Sequence, residues 1–116
     1  MKTIAIAVTL ALVAGCATLG GTDDPKIAEQ FIGLCHMYQQ PGFDAQLKEL
    51  LPQGSPASRC RTLLSRADKV GTKLGMTVYT FDPGHSLGGG QGLMVFIYVD
   101  QKSKIISKVK WAVAGH

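Results

Sequence analysis

The sequence predicts an α+β domain in which three N-terminal helices pack on a three-stranded antiparallel sheet. Three observations carry this. Between residues 25 and 74, apolar residues recur three and four apart, the repeat of a helix with one buried stripe. After Gly75 the repeat shortens to two, in runs rich in β-branched and aromatic residues. The helical stretches come first and the strands after them, which argues for antiparallel strands with helices on one face.

The first helix opens at Asp23-Asp24-Pro25, an N-cap carboxylate followed by proline at the first helical position. Its stripe is Ile27, Phe31, Leu34, Cys35 and Tyr38, and Pro41-Gly42 ends it. A shorter helix repeats the pattern with Phe43, Leu47, Leu50 and Leu51, closed by Pro52. Ser55-Pro56 starts the third, whose stripe is Cys60, Leu63, Leu64, Ala67, Val70 and Leu74, with Gly75 as its stop. Arg59, Arg61, Arg66, Lys69 and Lys73 fall mostly elsewhere on that wheel.

Met76 to Phe81 is the first strand. Leu93 to Val99 is apolar almost without interruption, as a central strand would be. Asp100 to Lys104 is a short hairpin connection. From Ile105 to Val113 the chain alternates: Ile105, Ser107, Val109, Trp111 and Val113 share one side, and Ile106, Lys108, Lys110 and Ala112 the other. Asp82 to Gly92 (DPGHSLGGGQG) is a long Gly-rich loop between strands.

The chain has 116 residues, one domain's worth, and a formal net charge of +4. The charge is uneven. From Arg59 onward there are nine Lys or Arg against three Asp. This is not the clustered pattern of a nucleic-acid-binding domain, and no nucleic acid is expected as a partner. A basic face suits anionic lipid, lipopolysaccharide or an acidic protein, but solvated lysines on the outer faces of helix and strand are the plainer account.

The N-terminus has the three parts of a secretory signal: Lys2, an apolar run from Ile4 to Val13, and a small-residue cleavage site at Ala14-Gly15. The run is shorter than the roughly 20 residues a membrane span requires. Val13-Ala14-Gly15-Cys16 resembles the bacterial lipobox. That resemblance implies cleavage before Cys16 and acylation of its sulfur. With Ala rather than Asp at position 17, it also implies retention in the outer membrane, facing the periplasm. The expected organisation is a signal peptide over residues 1–15, a lipidated tether over 16–24 and one periplasmic domain over 25–116.

Cys35 and Cys60 remain. In an exported chain such a pair suggests a disulfide, which would stabilise the fold by about 3 kcal/mol. Their places on the stripes of two different helices agree with this. Two free core thiols, or a metal or catalytic use with His36 or His85, are the alternatives. No tight zinc spacing supports a metal, no acid–base pair supports catalysis, and no cofactor is expected. The Gly-rich loop lacks the lysine and the following helix of a phosphate-binding loop. Trp111 is expected in the core.

Apolar residues in excess are the stronger lead. Met94, Phe96 and Tyr98 lie on one face of the central strand, and Leu93, Val95, Ile97 and Val99 on the other. Either the helices flank both faces, or they cover one and the other is open to a partner or a second copy; the second is the expectation. The candidate contact residues are therefore Met94, Phe96 and Tyr98 on the sheet, His85, Ser86 and Leu87 in the loop, and Arg59 and Arg66 on the basic helix.

Helices followed by a small antiparallel sheet, and the phrase Val95-Phe96-Ile97-Tyr98-Val99-Asp100 before Lys104-Ile105, are similar to the small lipoprotein family of the outer-membrane β-barrel assembly machine (the SmpA/OmlA type). In that family Gly-Met-Thr precedes a helix, whereas Gly75-Met76-Thr77 here opens a strand. The expectation is a non-catalytic envelope lipoprotein that binds another envelope protein. The two alternatives are an inhibitor or immunity lipoprotein that plugs a cell-wall hydrolase or toxin with the 82–92 loop, and a small-molecule or lipid carrier with a cavity between helices and sheet.

Overall fold

A computed structural model of the chain describes residues 22–86 and 91–113. The signal, Cys16, most of the tether, and Leu87 lie outside the described residues. The elements run α1 (Pro25–His36), α2 (Phe43–Leu50), a 3-10 turn (Ala57–Cys60), α3 (Arg61–Leu64), β1 (Lys69–Lys73), β2 (Met76–Phe81), α4 (Pro83–Ser86), β3 (Leu93–Asp100) and β4 (Ile106–Val113). The sheet has four antiparallel strands in the order β1-β2-β3-β4. It is an α+β domain, with one strand more than the sequence suggested.

The first two helices form as their caps and stripes dictate. Asp24 is the N-cap of α1, and its carboxylate accepts the amide of Lys26 at 3.1 Å. Ile27, Ala28, Phe31 and Cys35 are its buried face. Gly42, at φ 89°, makes the left-handed bend into α2, which buries Phe43 and Leu47. These side chains meet Phe81, Leu93, Val95, Ile97, Val99, Ile106 and Val109 in a single core. Phe31 and Phe81 pack with ring centroids 5.1 Å apart.

Three expectations fail. The third helix does not run to Leu74. It stops after Leu64, and Ser65 Oγ donates to the carbonyl of Thr62 (2.6 Å) where it ends. Beyond it, Lys69–Lys73 is an edge strand paired with β2. Val70 and Thr72 favour extended backbone over helix, and Gly71 is a poor helix former. Asp68 fixes the change: its amide donates to Thr80 O (2.9 Å) and its carboxylate accepts the Asp82 amide (2.7 Å). Val70 and Leu74, placed on a buried stripe by the helical reading, are 56% and 87% exposed. Leu74-Gly75 is instead a two-residue hairpin turn with both residues at positive φ, 52° and 79°.

The alternation in β4 also slips. Tyr98 pairs with Lys108 but Val99 pairs with Ile106, so Ser107 is an extra residue in a bulge. The bulge turns Ile106 to the core alongside Val109, and Ile106 is 1% exposed. The segment before the 3-10 turn runs along the start of β4: Gly54 N donates to Ile106 O (2.8 Å), Ile106 N to Ser55 O (2.8 Å), and Ala57 N to Lys104 O (2.9 Å).

The expected Cys35–Cys60 bond is not formed. Both are free thiols, buried in the one core. Cys60 Sγ donates to Ala57 O at 3.5 Å. Burial pushes the Cys35 thiol up to about 12 and Cys60 to about 11, so neither is a ready nucleophile. Besides the shared apolar core, which includes Leu63 and Leu64, polar ties join α1 to the 57–64 segment. Asp23 accepts the amide of Thr62 (2.8 Å) and its hydroxyl (2.5 Å), and Asp24 N donates to Arg59 O (2.8 Å).

Candidate functional site

The strand register sorts the sheet into two unlike faces. Toward the helices point Phe81, Leu93, Val95, Ile97, Val99, Ile106 and Val109, all buried. Among the described residues, no helix lies over the opposite face. From β1 it receives Lys69, Gly71 and Lys73; from β2, Met76, Val78 and Thr80; from β3, Met94, Phe96 and Tyr98; from β4, Lys108, Lys110 and Ala112. β2 and β3 supply a half-buried apolar and aromatic strip, and each edge strand supplies two exposed lysines beside it.

The electrostatics are one-sided. Asp100 is the sole carboxylate among the strand residues of this face, and its Oδ2 is turned into the β3–β4 connection. There it accepts from the amides of Ser103 (2.7 Å) and Lys102 (3.1 Å) and from the Ser103 hydroxyl (2.8 Å). Those hydrogen bonds, Ser103's first, hold it below the usual carboxylate range. Lys108 Nζ stands 4.7 Å from the centre of the Tyr98 ring, a cation–π contact. Because Gly71 has no side chain, the β1 row is notched between Lys69 and Lys73. The notch opens a groove of about 290 Å³ whose floor includes Val78, Thr80, Phe96 and Tyr98.

Met94, Phe96 and Tyr98, read from the sequence as a contact face, are together here. The other candidates are elsewhere. Arg59 lines a groove on the helical layer with Asp24, Gly33, Leu34 and Met37, of about 660 Å³, and Arg66 is exposed just after α3. His85 is exposed on α4, the helical turn that also holds Ser86. The base of the Gly-rich loop is fastened: Gln91 Nε2 donates to Gly84 O (3.0 Å) and Tyr38 Oη to Gln91 O (2.9 Å). A Cβ on Gly84 would come within 2.8 Å of Gln91 Cα, so the close approach requires glycine there. His36 is exposed at the end of α1.

The sequence reading missed Lys69, Gly71 and Lys73, since it gave that stretch to a helix. Lys108 and Lys110 were legible as outward residues opposite Val109 and Trp111. Trp111 is half-buried at the core's edge and clasps α2 to β4. Its Nε1 donates to Asp44 Oδ1 (2.9 Å), and its ring packs edge-on against Phe43, centroids 5.0 Å apart.

Among the described residues no three His, Cys, Asp or Glu stand together as a metal site, and no helix is long and apolar enough to cross a membrane. The space between helices and sheet is filled by Phe31, Leu47, Leu51, Phe81 and Ile97, each 2% exposed or less. The chain matches no protein-family model, no curated protein and no solved structure.

Proposed function

We propose that this chain is an outer-membrane-anchored lipoprotein, non-catalytic, whose periplasmic domain holds another envelope protein against the open face of its sheet. The observation that carries this reading is that face itself: an apolar and aromatic strip without a cover among the described residues, bordered by four lysines. A stable fold has no use for Met76, Met94, Phe96 and Tyr98 in such a row, and surfaces of that kind mark binding sites. The complementary partner is an apolar ridge flanked by carboxylates. A second copy is a poor fit, because two such faces would bring eight lysines together. The lipobox supplies the place. Acyl chains on Cys16 confine the domain to one membrane surface and raise the local concentration of a partner there, so a modest interface suffices.

The clamped base of the Gly-rich loop favours one other reading, that of an inhibitor whose 82–92 loop plugs a hydrolase. A single experiment separates the two. Cells are fed a palmitate analogue and the lipoprotein is recovered from detergent-solubilised envelopes, as wild type, as Lys108→Glu/Lys110→Glu, and with residues 84–90 deleted. The expected result is a labelled protein that co-purifies with one envelope protein, lost with the charge reversal and kept with the loop deletion. An unlabelled protein, or a partner lost only with the loop, contradicts the proposal.

A further inference from the structure

The end of the sheet where β1 turns into β2 has a feature that the fold does not use. The hairpin turn is Leu74-Gly75, and Leu74 sits at φ 52° with 87% of its surface exposed. A bulky side chain is disfavoured in left-handed backbone, where Asn or Gly is the usual choice. It is equally disfavoured in water. Leu74 takes no part in the core.

Its surroundings are basic. Gln101 N donates to Gly75 O (3.1 Å), which ties this turn to the β3–β4 turn. Lys73, Lys102 and Lys104 are exposed around the pair. Of the nearby acids, Asp100 accepts from the backbone amides of Lys102 and Ser103 and Asp23 from that of Thr62; both stay ionised, and Lys73, Lys102, Lys104 and Arg61 outnumber them. The chain's N-terminal entry lies on the same side of the molecule. Ala57 N donates to Lys104 O, Arg61 and Lys104 line one hollow, and Asp23 is fastened to Thr62 next to Arg61. The seven residue steps from Cys16 to Asp23 reach at most about 25 Å.

We propose that this end of the domain docks on anionic phospholipid headgroups of the bilayer that carries the anchor. Leu74 enters the interface, and Lys73, Lys102 and Lys104 meet phosphates. A short tether, a protruding apolar tip and a ring of cations on one side fit a charged bilayer surface. The strands then stand upright on the membrane, and the open sheet face points sideways, toward neighbouring envelope proteins. The choice of bilayer rests on the lipoprotein reading; the docking chemistry does not.

The test uses residues 16–116 with Cys16→Ser. Every core residue lies between Ile27 and Val109, and the apolar run of residues 4–13, which would itself bind vesicles, is absent. Binding is measured by flotation with phosphatidylglycerol–phosphatidylcholine vesicles and with pure phosphatidylcholine vesicles, at low and high salt. The expected result is salt-sensitive binding to the first only. Each of Lys73→Gln, Lys102→Gln and Lys104→Gln weakens it about fivefold. Leu74→Gly weakens it on the order of tenfold while the melting temperature holds or rises, since glycine is at ease at that φ. Lys108→Gln, on the open face, leaves it unchanged. Absent binding, or binding indifferent to Leu74 and the three lysines, overturns the proposal. Because this variant carries no acyl chain, such a failure leaves the lipoprotein reading standing, and palmitate labelling of Cys16 tests that separately.

Discussion

Ile97 and Phe96 are neighbours on the central strand with opposite surroundings, and truncating each to alanine measures whether one face of the sheet is open. Ile97 is fully buried between strands and helices. Ile97→Ala removes its transfer energy and leaves a cavity in a rigid core, at a cost of about 2–5 kcal/mol. Domains of this kind are stable by only about 5–15 kcal/mol. A loss near 3 kcal/mol lowers the melting temperature of a domain this size by roughly 12–24 °C. Phe96 is on the opposite face, partly exposed, between Thr80 and Lys110 in the register. Phe96→Ala forgoes strand propensity and cross-strand contact, about 1 kcal/mol, or roughly 4–8 °C. The assay is thermal unfolding by circular dichroism on the same purified domain. Equal losses at the two positions would refute the reasoning, since they would require something packed over Phe96 as closely as the helices are packed over Ile97.

Other consequences follow from particular contacts. Cys35 and Cys60 titrate near 9.0 when unfolded but near 12 and 11 when folded. Stability is therefore fully present below pH 9 and declines as pH rises from there, by about 2–3 kcal/mol for each thiol at pH 11. Chemical unfolding across that range checks it, and Cys35→Ala/Cys60→Ala flattens the decline. A thiol reagent labels neither cysteine quickly in the native protein and both after unfolding without reductant; a denatured chain that stays unlabelled would mean the sulfurs are bonded. Trp111→Phe keeps the ring against Phe43 but removes the donor to Asp44. The Asp44 carboxyl, held low by Trp111 first and Lys48 second, then rises toward its ordinary value, as its NMR titration would report. Asp23 is also held low, chiefly by the Thr62 hydroxyl. Its fastening of the chain entry is present above about pH 4 and is lost as the pH falls through its depressed value; an acid-unfolding midpoint unmoved by Asp23→Asn would contradict that.

Much of the fold was legible in the sequence because its signals are local. Asp24-Pro25 and the stripe from Ile27 to Tyr38 define α1 with no help from the rest of the chain. The two-residue repeat of any strand likewise puts Val95 and Ile97 on one face of β3 and Phe96 and Tyr98 on the other. What could not be read depends on partners far along the chain. Val70, Gly71, Thr72 and Leu74 continue a helical spacing on paper, and only pairing with β2 makes them an edge strand. Half of the basic border of the open face was hidden by that misreading. The bulge at Ser107 was hidden too, because one inserted residue reverses a strand's faces without altering composition. The apolar centre of the candidate site was therefore visible from β3 alone, while its Lys69–Lys73 edge was not.

The proposed function requires the open sheet face to be occupied in the cell. The most direct measurement places a photo-crosslinking amino acid at Phe96 and, separately, at Gln46, which is exposed on α2. Both proteins are irradiated in intact cells. The account predicts one discrete protein adduct from position 96, abolished by Lys108→Glu/Lys110→Glu, and none from position 46. A position 96 that yields no adduct, or only the adducts that position 46 yields, contradicts it.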